Sequence, residues 1–261
     1  MIQKKICIII NNRANYARIK TVLIAIKKNK KLKLQLILES SAILERYGSV
    51  DRIIKKDGFK INEVIYTVIE GENPTTMAKS SGLAVIELTT IFSNLKPDVV
   101  LTIADRYETL PIAMSAVYMN IPLAHTQGGE VTGSIDESVR HATTKLAHIH
   151  FPATKKAAKN IARLGEDPKN IFLTGCPSID LIKGEDLKIN KKFVEKYTPA
   201  GVGSNLDFSK KYIVVLQHPV TTEYGSGLKQ INETIKAIKD LNIQVAWLWP
   251  NVDAGSDTIS K

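Results

Sequence analysis

Residues 97–130 read PDVVLTIADRYETLPIAMSAVYMNIPLAHTQGGE, and this stretch decides the fold. Val99–Ile103 is a short aliphatic run, introduced by Pro97-Asp98 and followed by Ala104-Asp105-Arg106. Glu108–Met119 continues with apolar residues at helical spacing, and Leu123–His125 is a second short apolar run that empties into a glycine-rich loop. Strand, helix and strand in such close succession form a βαβ unit. Its strands run parallel and are buried on both faces, which is why they carry continuous Val, Leu and Ile.

The same alternation extends both ways from this unit. Towards the N-terminus the pattern predicts a strand near Ile6–Ile10 and a helix from Tyr16 to Lys28 with Ile19, Val22, Leu23 and Ile26 on one face. A strand at Leu32–Leu38 and a short helix near Val50–Lys56 follow. After Gly71-Glu72-Asn73-Pro74 comes a long helix to Leu95, with Ile86, Leu88, Ile91 and Leu95 as its apolar positions. Towards the C-terminus it predicts a helix Asp136–Leu146, a strand at His150-Phe151, a helix Lys155–Leu164 and a strand Ile171–Leu173. From Gly175 to Lys211 the pattern weakens around Pro177, Pro199, Gly201 and Gly203, and a new βα unit begins at Tyr212–Leu216. It continues through a helix near Lys229–Leu241 to a strand at Val245–Trp249.

The fold class is therefore α/β with a Rossmann-like parallel sheet. An N-terminal Rossmann-like domain is expected over residues 1–175, a linker region over 176–210, and the start of a second Rossmann-like domain over 211–261. Two strands and one helix cannot cover both faces of a sheet, so this second domain reads as incomplete.

Composition narrows the function. The 261 residues have the apolar and charged fractions of an ordinary globular protein. No apolar run approaches the ~18 residues that would span a bilayer, and a membrane role is not expected. The opening MIQKKICIII has two lysines before an apolar run, as a signal peptide does, but Asn11-Asn12-Arg13 close it without a small-residue cleavage site. It reads as a buried strand. Cys7 and Cys176 form neither a disulfide framework nor a metal-ligand pattern, which points to a reducing cytoplasm. The formal charge of +10 comes from lysines scattered in pairs along the chain, without interleaved aromatics. That is a solvated surface and not a nucleic-acid face, although it suits an anionic small molecule.

In an open parallel sheet, ligands bind beyond the carboxyl ends of the strands. The strand ends here deliver Asn11-Asn12-Arg13, Asp105-Arg106, His125 to Glu130, and Gln217-His218-Pro219. Arg13 opens a helix, where a guanidinium and a helix N-terminus together suit a phosphate; a surface ion pair is the plainer alternative. Asp105 beside Arg106 fits chemistry, an ion pair or an N-cap. In the stretch from Gln127 to Ser138, Gly128, Gly129 and Gly133 relax the backbone for close approach of a ligand. Glu130, Asp136 and Glu137 add carboxylates there, and Ser134 or Asp136 is placed to cap the next helix. His141, His148 and His150 hint at metal, but no cysteine accompanies them and no acid spacing matches, so no metal site is expected. His218 is suited to protonating a leaving phosphate or stabilising its charge.

Several strings resemble the hydrolysing UDP-N-acetylglucosamine 2-epimerases: Arg13-Ala14-Asn15-Tyr16, Asp105-Arg106-Tyr107-Glu108-Thr109-Leu110, and Gly128 through Ser138. Arg140-His141-Ala142, Gly175-Cys176-Pro177-Ser178, Gln217 through Thr222 and Pro250 through Gly255 do so as well. The branch this chain resembles makes N-acetylmannosamine, or a bacillosamine-derived sugar, for sialic or legionaminic acid synthesis. The resemblance implies two Rossmann-like domains of the B-type glycosyltransferase kind, no cofactor and no metal, a nucleotide-sugar substrate and a homodimer. It implies abstraction of the C2 proton, anti elimination of UDP and hydration of the glycal. Asp105 and Asp136 would be acid/base groups, Arg13, Arg106 and Ser134 substrate contacts, and His218 would meet the diphosphate. Gln127 stands where family members often carry a glutamate; it can hydrogen-bond but cannot exchange a proton, so either another acid such as Glu130 serves or the substrate branch differs. The family's segment that holds the diphosphate and ribose, with paired serines and a glutamate, has no counterpart in these residues. A glycosyltransferase of the same architecture and an inactive sugar-nucleotide-binding module are the alternatives.

Overall fold

The computed structural model describes residues 2–197 and 202–260. The chain forms two compact units, Met1–Gly71 with Thr75–Gly184, and Glu72–Pro74 with Glu185–Lys261. Pro199 and Gly201, expected to interrupt the pattern, lie outside the described residues.

The first unit is built on six parallel strands: β1 (Lys4–Ile10), β2 (Leu32–Leu38), β3 (Glu63–Val64), β4 (Val99–Ile103), β5 (Leu123–Thr126) and β6 (Ile149–Phe151). Their spatial order is β3-β2-β1-β4-β5-β6, so the direction of winding reverses between β1 and β4. The last four residues of both β1 and β2 are buried. Because side chains alternate across a strand, these residues feed two separate layers. Ile8, Ile10, Leu36 and Leu38 pack with Tyr16, Ile19 and Leu23 of α1 (Arg13–Lys28). Cys7, Ile9 and Ile37 pack on the opposite face with Leu88, Ile91 and Phe92 of α3 (Pro74–Leu95), which follows the short α2 (Asp51–Lys56). Helices on both faces explain why the strands read as unbroken apolar runs.

The remaining helices of this unit are α4 (Thr109–Tyr118), α5 (Ile135–Leu146), α6 (Lys155–Arg163) and α7 (Pro177–Lys183). Local chemistry sets their ends. The Asn12 side chain accepts from the Asn15 N–H at 2.8 Å, so α1 begins at Arg13, three residues before the apolar periodicity suggested. Lys27 and Lys28 close it, where cations suit the helix dipole. On α3 the inward stripe is Ala84, Leu88, Ile91 and Phe92, while Ile86 is 66 % exposed. Ile86 lies two residues from Leu88 and so faces the other way. The strand expected at Ile171–Leu173 is reduced to a single parallel bridge between His150 and Ile171, because β6 is too short to template a further strand. The two-residue β3 has too little pattern to be seen in sequence.

The second unit contains β7 (Tyr212–Leu216) and β8 (Gln244–Leu248), parallel and in register from Tyr212↔Gln244 to Leu216↔Leu248. Helix α9 (Gly227–Lys239) makes the crossover, with α8 (Lys191–Tyr197) before it and α10 (Ser256–Ser260) after. Val214, Leu216, Trp247, Leu248 and Trp249 remain exposed around this two-stranded sheet.

Candidate active site

The carboxyl ends of β1, β4 and β5 are neighbours in the sheet, and at two of them the chain turns in an unusual way. Ala104 and Gln127, the residues directly after β4 and β5, have φ of 58° and 60°. This left-handed region is costly for residues with a Cβ. Each turn still makes one last ladder bond: the Ala104 N–H donates to Thr126 O and the Gln127 N–H to Phe151 O, both at 3.0 Å. The backbone then reverses, and Asp105 follows at the rim.

His125 holds this turn. It is fully buried; its Nε2 lies 2.7 Å from Ala104 O and its Nδ1 3.2 Å from the Thr144 hydroxyl on α5. A carbonyl can only accept, so Nε2 carries the proton and Nδ1 accepts from Thr144. Burial pushes the His125 pKa down to about 4, outweighing the bond to Ala104 O that favours the charged form. The neutral ring thus ties the end of β4 to the helix that carries Asp136 and Arg140.

Arg140 is the centre of the site. Its side chain is only 2 % exposed, with one guanidinium nitrogen bonded to the Asp105 carboxylate and another donating to Glu130 O at 2.9 Å. A buried guanidinium needs such partners, since an unpaired one is very costly. Asp105 itself is 20 % exposed and reaches the rim. Asp136 lies in the first turn of α5, one helical turn before Arg140 and on the same side of the helix. Ser134 caps α5 by accepting from the Asp136 N–H at 3.3 Å, which settles which of the two residues is the cap. The Glu137 carboxylate accepts from Thr132 N–H at 2.6 Å and so closes the loop against the helix.

Two of the three loop glycines serve packing and not ligand approach. A Cβ on Gly129, whose φ is 80°, would lie 2.3 Å from Ala157 O; one on Gly128 would lie 2.8 Å from Thr144 Oγ1 and 2.9 Å from His125 Nδ1. Only Gly133 has open space around it. Gln127 is half-buried and donates from Nε2 to Cys176 Sγ at 3.5 Å. Glu130 is half-buried beside it, with its carbonyl on Arg140.

Arg106 is held by Glu108, whose two carboxylate oxygens accept from Nε and Nη2 at 3.2 Å each. Arg13 is exposed at the start of α1, and a Cβ on Gly48 would lie 3.4 Å from its Nη1. His218 belongs to the second unit, where it follows β7 and its Nδ1 accepts from the Asn251 N–H at 3.2 Å. His148 precedes β6 and is exposed, whereas His150 within β6 is buried, so the two rings do not share an environment although residues two apart in a strand would face the same way. Among the described residues no His, Cys, Asp and Glu side chains gather into a metal-binding group, and no helix is long and apolar enough to cross a membrane.

Sequence reasoning placed Asp105 at one strand end and Glu130 and Asp136 in the next loop and helix, and quoted Arg140 without a role, although Arg140 ties Asp105 to the Glu130 backbone. Arg140 was detectable: it interrupts the buried face Val139, Thr143 and Thr144 of α5 with a charge. Glu39 and Glu108, both buried, were missed as well. Glu39 follows β2 directly and is found by the same strand-end rule that identified Asp105.

A doubly wound parallel sheet with an acid–arginine pair at the carboxyl rim, beside the reversal of strand order, defines a Rossmann-like protein, a class in which ligands lie at the switch point. Comparison with known proteins makes this particular. The family model described as UDP-N-acetylglucosamine 2-epimerase matches residues 24–261, and the chain belongs to that family. It is 33 % identical, over 99 % of its length and 67 % of the relative's, to a hydrolysing UDP-N,N'-diacetylbacillosamine 2-epimerase of Legionella pneumophila. It is 31 % identical, over 100 % of its length and 66 % of the relative's, to a hydrolysing GDP/UDP-N,N'-diacetylbacillosamine 2-epimerase of Campylobacter jejuni. Among solved structures, a UDP-GlcNAc 2-epimerase from Neisseria meningitidis bound to UDP-GlcNAc superposes with a TM-score of 0.78 at 19 % identity, covering 98 % of this chain and 68 % of that one. The fold class is thus the expected one, a Rossmann-like sheet of the B-type glycosyltransferase kind, with a two-stranded second sheet among the described residues. The chain spans about two thirds of the length of the curated relatives it matches.

Proposed function

We propose that this chain works as a hydrolysing 2-epimerase on a nucleoside-diphosphate 2-acetamido sugar, releasing the free 2-epimer and the nucleoside diphosphate. The observation that carries this reading is the Asp105 carboxylate, fixed at the rim by the buried Arg140. A carboxylate held that way can exchange a proton with substrate without losing its position. In this reading Asp105 and Asp136 remove and return protons at C2 and at the leaving oxygen. Arg13, Arg106 and Ser134 contact the nucleotide or sugar, and His218 meets the diphosphate as it departs. Charged groups at a rim partly closed to water stabilise such a leaving group more strongly than bulk solvent does. Gln127 supplies a hydrogen bond but no proton, so either Glu130 is the further acid or the substrate branch differs.

Both UDP-N-acetylglucosamine and its diacetylbacillosamine counterpart fit the reading, and the relatives named above favour the latter. The reading carries with it a homodimer in a reducing cytoplasm, consistent with two free cysteines, and a second Rossmann-like domain starting at residue 211. The test is incubation of the full chain with each sugar nucleotide in deuterated water. Free 2-epimerised sugar with deuterium at C2, together with released nucleoside diphosphate, supports the proposal. Turnover that requires an acceptor makes the protein a glycosyltransferase, and binding without turnover makes it a sugar-nucleotide-binding module.

A further inference from the structure

Beneath the rim, where β1 and β2 end and α4 begins, lies a buried polar cluster that the chemistry above does not use. Glu39, the residue after β2, is completely inaccessible. Its Oε1 accepts from Asn11 Nδ2 at 2.5 Å, while its Oε2 is buried with no hydrogen-bond partner. The Ser40 hydroxyl donates to Glu108 Oε1 at 2.9 Å, and the same carboxylate holds Arg106. Two carboxyl groups therefore share a closed space, one paired with a cation and one not. Ionising both would set like charges against each other with little solvent between them. Burial first, and then the charge of Glu108, raise the Glu39 pKa well above the usual carboxylate range, against the smaller opposing effect of Asn11.

We infer that Glu39 is a positioning residue: as a neutral acid it leaves the negative charge under the rim to Glu108, and so keeps Arg106 held for an anionic substrate. The inference rests on the proposed function for the role of Arg106, though not for the state of Glu39. The groups facing Glu39 are Asn11 from the end of β1, Ser40 from its own segment, and Glu108 with its partner Arg106 from the β4–α4 connection. Only the last two carry charge, so loss of the Glu39 proton acts on that pair. It repels Glu108 and loosens the bidentate grip on Arg106.

The full chain is titrated with UDP at neutral pH as wild type, Glu39→Gln and Glu39→Ala, with circular dichroism to confirm folding. Glu39→Gln keeps the shape and the neutral state, so it is expected to bind as the wild type does, while Glu39→Ala binds several-fold more weakly. Folded Glu39→Gln that binds as weakly as Glu39→Ala overturns the inference. Difference infrared spectroscopy gives a second readout that needs no ligand and no alanine variant: a protonated-carboxyl stretch at neutral pH, absent from Glu39→Gln. If the wild type binds no UDP, the functional reading fails by itself. The infrared band then decides Glu39, its presence upholding the neutral acid and its absence overturning it.

Discussion

The Asp105–Arg140 pair gives the sharpest stability test, because its two members are buried unequally. Arg140 is 2 % exposed and Asp105 20 % exposed. Asp105→Ala leaves a guanidinium that water cannot reach with only the Glu130 carbonyl as partner, and removing one member of a buried pair costs about 3–5 kcal/mol. Arg140→Met leaves a carboxylate that water can rehydrate, while the thioether fills much of the vacated space. Its cost should be that of a lost charge-assisted bond, about 1.5–3 kcal/mol. The double variant should resemble Arg140→Met alone, since no stranded charge remains. Urea unfolding with linear extrapolation measures all three, but the probe matters. Both tryptophans, Trp247 and Trp249, lie in the second unit, so their fluorescence does not report on this site. Far-ultraviolet circular dichroism, or hydrogen exchange of the β4 and α5 amides, does. Equal costs for the two single variants, or a double variant worse than Asp105→Ala, would refute the view that Arg140 is the sealed member of the pair.

Other outcomes follow from the same geometry. The folded pKa of His125 is lowered from 6.5 to about 4, so the unfolded chain takes up a proton that the fold refuses. The stability it contributes is present above pH 6.5 and is lost as pH falls through about 4; at about 1.4 kcal/mol per pH unit the loss is on the order of 3 kcal/mol. His125→Gln should flatten the slope of stability against pH over that range, and an unchanged slope would show that other groups produce it. Gly129→Ala combines a φ of 80° with a backbone clash and should lower stability by more than about 2 kcal/mol, whereas Gly133→Ala should stay within about 0.5 kcal/mol, both read from denaturation midpoints. Asp105→Asn keeps an acceptor for Arg140 but cannot exchange a proton, so deuterium incorporation at C2 should disappear while the circular dichroism spectrum is retained; normal incorporation would remove Asp105 from the chemistry.

Much of the first sheet was legible because parallel strands buried on both faces need continuous apolar runs. β2, β4 and β7 lie where their composition puts them, to the residue. The failures have physical causes. The edge strand β3 pairs over only two residues, too few for any pattern. The bridge at Ile171 looked like a strand because its composition is apolar, yet β6 offers it little backbone to pair with. At the site, strand-end reading found Asp105 and the loop from Gln127 to Ser138, but took Gly128 and Gly129 as room for a ligand when neighbouring atoms already fill that space. Glycine is demanded equally by a close ligand and by a close helix, and sequence alone does not distinguish the two.

The turns at Ala104 and Gln127 were invisible for a different reason: neither residue type announces a left-handed backbone. Each such turn costs about 1–3 kcal/mol and persists only where its surroundings over-determine it. Here the determinants are identifiable. Both residues spend their N–H on the last rung of the ladder, and His125 secures the Ala104 carbonyl. The strain falls at the two strand ends that deliver Asp105 and the Gln127–Ser138 loop, and at the former it is held by a histidine also bonded to the helix bearing Arg140. A fold that needed only to close its sheet would gain by placing glycine or asparagine at those positions. Holding a carboxylate at one point on the rim, against a guanidinium that cannot move, is a reason to retain the strained residues, and it connects the turn conformation to the acid/base role proposed for Asp105.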